Sequence, residues 1–162
     1  MTKKTGLLLR TRIRRDRRGS VIVEAAMVLP MVMVLLCGLV EMGRALQHQH
    51  TLTESVREAA RYLARVPLAC PAGGDPNWAT ARSNAQHLAA TGRVSGGQPL
   101  VTGWTDASFT IADPVCETWS GRAVQLITVS ANVPYGDLGL LQVLGLDAVR
   151  LGASHQQVHI GE

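Results

Sequence analysis

The 162-residue chain lacks the short signatures by which chemistry is usually recognised. It has no glycine-rich nucleotide loop, and Gly96-Gly97 reads as a turn. Its cysteines at 37, 70 and 116 include no C-x-x-C pair of the zinc or redox kind. His48 and His50 stand two apart, roughly 200° around a helix, so they cannot chelate one metal from one face. His155 and His159 can share a strand face, but no carboxylate or cysteine is spaced to complete a site. Ser-His-Asp sets arise only by choosing residues freely. Aromatic residues make up 4% of the chain, and Trp78, Trp104 and Trp119 read as core anchors rather than a ligand platform. The expectation is therefore no catalytic residue, no metal and no cofactor.

A uniform charge is lacking too. Residues 1–18 hold Lys3, Lys4, Arg10, Arg12, Arg14, Arg15, Arg17 and Arg18 against Asp16 alone, whereas eight arginines face eleven acids from residue 19 onward. The net charge of +4 thus belongs to a basic tail on a mildly acidic body. A basic arm can bind nucleic acid. This one directly abuts an apolar run, and the body offers no basic patch, so no nucleic-acid partner is expected.

What is present is one long apolar run. Ala25 to Val40 reads AAMVLPMVMVLLCGLV without a charge, and from Ser20 it makes 21 residues, about 30 Å of helix. That length matches a bilayer core. The arginines before it predict a cytoplasmic N-terminus and an exported C-terminal body. Pro30 is tolerable in lipid but should kink or loosen the helix near Ala26. A cleaved secretory signal is excluded by the EMGRAL sequence that follows, which lacks a small-residue cleavage site. Leu35 and Leu36 before Cys37 likewise exclude a lipoprotein site, and Cys37 reads as a small hydrophobe. The run is a membrane anchor in contact with lipid.

Helical periodicity continues beyond it through Met42, Leu46, Thr53, Val56, Ala60 and Leu63, and Pro67 closes the pattern. One helix over about 21–65 is predicted, its first half lipid-grade and its second amphipathic. Asp75-Pro76 should open a second helix, with Asp at the N-cap and Pro in the first turn, and Gly92 should end it. Trp78, Ala81, Ala85, Leu88 and Ala89 form its apolar stripe. Strands are expected over about 101–112, 123–134 and 149–160. The apolar connection 138–146 reads as a core cover or as a greasy contact surface. In an exported body Cys70 and Cys116 would most simply form one disulfide. The fold class is α+β: a long N-terminal helix, a small helix and an antiparallel sheet. The expected divisions are a leader (1–19), a transmembrane segment (20–41), an amphipathic extension (42–66) and an exported domain (67–162).

One residue contradicts a plain anchor. Glu24 lies inside the run, where a buried carboxylate costs roughly 2.5 to 3.5 kcal/mol on insertion scales. Arg17-Arg18-Gly19 followed by Ser20-Val-Ile-Val-Glu24 and an apolar helix resembles a type IV prepilin leader. In that family a membrane peptidase cuts after the glycine, and the fifth mature residue is glutamate. More closely, Glu24 to Pro30, the Glu41-x-Gly43-Arg44 exit and Arg57 to Tyr62 resemble the TadE-like proteins, minor pseudopilins of the tight-adherence (Tad, Flp) pilus. The segment from Val133 to Glu162 resembles that family's C-terminal end. The resemblance implies leader cleavage between Gly19 and Ser20 by prepilin peptidase, and residence in the bacterial inner membrane with the C-terminal domain periplasmic or extracellular. It also implies other pseudopilins, the major Flp-type pilin and the inner-membrane pilus platform as partners. Cleavage would create an α-amino group on Ser20, and Glu24 one turn along could pair with it, in the same chain or the next subunit, fixing axial register. Ser20 and Ala25 depart from the phenylalanine and tyrosine common in main fibre subunits, and the long body points the same way. A single-pass anchored binding module that never assembles is the alternative. Processing at Gly19 separates the two.

Overall fold

Helix α1 spans Arg17–Leu63 in the computed structural model, which describes residues 17–67, 75–136 and 149–159. The chain divides into two units, 1–40 and 41–162. In the first unit the helix is apolar all round, and every residue from 19 to 40 is exposed. Such a surface is what a lipid-facing span requires. Gly19–Leu63 is, among the described residues, the one helix long and apolar enough to cross a membrane. Helix α1 carries Pro30 without interruption. The proline still removes the donor that the Ala26 carbonyl would otherwise use.

The second unit is built on the rest of α1. Its buried face is Leu52, Ser55, Val56, Ala59, Ala60, Leu63 and Ala64. The expected stripe held only from Val56 onward, because Met42 and Leu46 are more than 60% exposed. Helix α2 is Trp78–Thr91. Its N-cap is Asn77 and not the expected Asp75. Asp75 instead forms a turn before the helix, accepting the Asn77 N–H on Oδ1 at 2.8 Å. Gly92 ends α2 as expected, at φ 73°, where its N–H reaches the Leu88 carbonyl. The buried face of α2 is Trp78 with Ala81, Ala85, Ala89 and Ala90. Leu88, expected on that face, is only half-buried.

Among the described residues, four antiparallel strands form one sheet: β1 (Phe109–Ile111), β2 (Val115–Trp119), β3 (Arg122–Pro134) and β4 (Arg150–Val158). Strand β3 is the organiser. It pairs with β2 over 122–126, with β1 over 129–131 and with β4 over 126–134. Ser120 and Gly121 join β2 to β3 with φ values of 50° and 80°, the two positive angles of a primed hairpin turn. The first expected strand, 101–112, is mostly loop and a 3-10 turn at Asp106–Ser108, and only its end is strand.

Odd-numbered Gln125, Ile127, Val129, Ala131 and Val133 of β3 face the core, joined there by Phe109, Ile111 and Trp104. Trp104 meets Phe109 edge to face, with ring centres 6.0 Å apart. Each fully buried large side chain in this cluster contributes about 1.5–3 kcal/mol. Gln86 Nε2 donates to the Phe109 carbonyl at 2.8 Å and Trp78 Nε1 to Asp113 Oδ1 at 2.9 Å, tying α2 to the strands. Trp119 corrects the core-anchor expectation: it is 71% exposed, beside the hairpin turn. The observed class is the α+β arrangement the sequence implied. The apolar connection 138–146 lies outside the described residues.

Candidate functional site

Gly19 and Ser20 lie near the start of the described part of α1. Glu24 stands four residues beyond Ser20 and is therefore on the same helix face. All three are exposed, so the carboxylate is presented outward from the apolar surface.

A second glutamate ends the apolar run and behaves oppositely. Glu41 is 4% exposed. Its Oε1 accepts the Tyr135 hydroxyl at 2.7 Å, and the same hydroxyl reaches the Glu41 carbonyl at 3.2 Å. Tyr135 directly follows the last residue of β3. One turn or two along α1 from Glu41 come Arg44 and His48, and the His48 ring meets Tyr135 edge-on at 5.5 Å. Burial lowers the His48 pKa, the Arg44 charge lowers it further, and Glu41 opposes both. Glu41 Oε2, Arg44 Nη1 and His48 Nδ1 are buried without a hydrogen-bond partner.

Residues 19–61 match the family model described as TadE-like protein. Most of α1 is thus similar to that family. The matched region takes in Glu24 and the Glu41-to-Arg44 exit and stops short of α2 and the sheet. It is consistent with a TadE-like protein of the Tad pilus system. No curated protein and no solved structure matches the chain.

Within α1, Glu41 and Arg44 were recognisable from the sequence only as a pattern. Their surroundings went unseen because Tyr135 lies 94 positions away. The one available signal was a carboxylate at the end of an apolar helix, which needs a partner if it is buried. Of the expected cystine, Cys116 sits on the exposed strand β2, and Cys70 lies outside the described residues.

Two histidines make specific contacts in the second unit. His159 places Nε2 2.7 Å from the Val66 carbonyl, fastening the chain after β4 to the end of α1. His87 on α2 lies between two acceptors, Asp106 Oδ2 from Nδ1 and the Gly96 carbonyl from Nε2, both at 3.1 Å. Only the protonated ring donates to both. The Asp106 hydrogen bond, then the Gly96 carbonyl, accordingly raise its pKa. Among the described residues no group of His, Cys, Asp and Glu is arranged to hold a metal ion.

Proposed function

We propose that this chain is a minor pseudopilin, a non-catalytic, low-copy component that builds or seats a Tad-type pilus and so supports surface adherence. The observation that carries this reading is Glu24, an outward carboxylate in a lipid-grade helix four residues after the Gly19–Ser20 bond. A bare anchor has no use for that charge. An assembling helix does, because association in lipid relies on packing and polar pairing and not on hydrophobic drive. Cleavage after Gly19 supplies the partner, a new α-amine on Ser20. The helix then serves as an anchor before assembly and as a packing surface within the assembly afterwards. The exported unit of α2 and four strands is larger than a thin fibre subunit needs, which favours a minor role.

The partners of such a component are a second minor pseudopilin, the major Flp-type pilin, prepilin peptidase and the inner-membrane platform. The test has two parts. N-terminal sequencing of protein from membranes with an active prepilin peptidase should begin SVIVE, and a chain still starting at Met1 overturns the reading. Deleting the gene should abolish or sharply reduce pili and adherence, with the wild-type chain restoring both. A deletion strain with normal pili that loses binding of a soluble ligand identifies an anchored binding module instead.

A further inference from the structure

Beside the Glu41–Tyr135 contact lies a cavity of about 450 Å³ lined by Arg44, Gln47, His48, Thr51, Thr102 and Gly136, among others. Two features of this lining need an occupant. Arg44 Nη1 and His48 Nδ1 are both buried and both unpartnered, although buried polar groups are nearly always satisfied. No acid is among the described residues that line the cavity, although Glu41, with Oε1 taken by Tyr135 and Oε2 buried without a partner, lies close enough to act on the His48 charge. Around the guanidinium and the imidazole stand an amide at Gln47, a hydroxyl at Thr102 and the backbone of Gly136. Such a donor-rich wall suits a compact oxyanion, and a planar guanidinium matches the paired oxygens of phosphate.

We propose that this cavity binds a phosphate group, held between Arg44 and His48. Two sources carry that chemistry. Arg44 follows Glu41 by three residues on α1, about one turn beyond the end of the expected span, within reach of a phospholipid headgroup. Free phosphate in the surrounding medium is the other. The groups facing His48 are Arg44 and Glu41 from α1 and Tyr135 from the end of β3; burial and then the Arg44 charge outweigh Glu41 and hold the ring's pKa below its ordinary value. A bound phosphate favours the protonated ring, so by linkage phosphate raises the His48 titration midpoint. The lipid arm rests on the reading of α1 as a membrane span; the free-phosphate arm does not depend on it, and neither depends on pilus assembly.

The experiment follows the His48 ring by NMR in the full-length chain, held in phosphatidylcholine nanodiscs at constant ionic strength. Adding inorganic phosphate should raise the His48 midpoint by about one unit, a tenfold preference for the protonated ring. Arg44→Gln should abolish that shift. The same rise without added phosphate, in nanodiscs containing phosphatidylglycerol, identifies a lipid headgroup as the source. No shift with phosphate or with phosphatidylglycerol overturns the proposal, as does an equal shift from chloride. So does a phosphate-insensitive chain in which Arg44→Gln and Glu41→Gln destabilise the fold equally, since the two side chains then pair with each other. Because the wild-type response is measured directly, the outcome stands even if Arg44→Gln fails to fold.

Discussion

Tyr135 donates its hydroxyl to Glu41 Oε1 at 2.7 Å, joining the residue after β3 to the residue where the apolar run of α1 ends. The bond gives a buried carboxyl a partner that no neighbour in sequence supplies. Tyr135→Phe keeps the ring against His48 but leaves Glu41 Oε1 unsatisfied. The cost should be about 1–3 kcal/mol, read by denaturant unfolding of the second unit. Adding Glu41→Gln to the Tyr135→Phe variant should recover part of the loss, because an amide tolerates burial better than a carboxylate.

His87 and His48 should push stability in opposite directions with pH. The folded pKa of His87 is raised, so its contribution is complete below the unfolded value of 6.5 and fades as pH rises through the folded one. Asp106→Asn removes the first cause of the shift and should flatten that decline. For His48 the folded pKa is lowered, and protonation of the unfolded chain costs stability as pH falls below 6.5. Unfolding midpoints of His87→Gln and His48→Gln, taken at pH values on both sides of 6.5, separate the two. A decline above pH 6.5 that persists in His87→Gln would reject the assignment.

Glu24→Ala should leave membrane insertion and leader cleavage intact while sharply reducing the number of pili, counted by electron microscopy alongside mature protein levels. Normal pilus numbers in that variant would mean that the carboxylate merely reaches the membrane surface.

Joining Cys70 to Cys116 would close a loop of about 47 residues and stabilise the second unit by typically about 2 to 4 kcal/mol, mainly through the unfolded chain. Peptide mass mapping without reductant should recover the linked pair. Both thiols found free would exclude it.

Overfilling the α2 stripe should be costly. Ala85 is fully buried, and Ala85→Leu forces extra methyl and methylene groups into the core. A loss of about 1–3 kcal/mol is expected from thermal or denaturant unfolding.

The sequence by itself determined the features that depend on short-range physics. A run of apolar residues long enough for a bilayer is local, and so is helical periodicity, so α1 was legible to within a few residues at each end. Gly92 was legible as a helix end because only a residue comfortable at positive φ serves there. The alternation of β3 was equally plain. Its buried face was decided only by tertiary packing, since Val124 and Leu126 on one face are nearly as apolar as Ile127 and Val129 on the other. Pairing with β3 made a strand of Val115–Trp119, which lacks a strong pattern of its own, and the hairpin turn after it left Trp119 in the open. Ala112 to Pro114 separated that strand from β1, at the boundary where the expected strand 101–112 already ended. Glu41, Arg44 and His48 acquired their meaning in the same way. Burial and the choice of partner belong to the folded chain, and a hydrogen bond across 94 positions leaves no trace in local spacing.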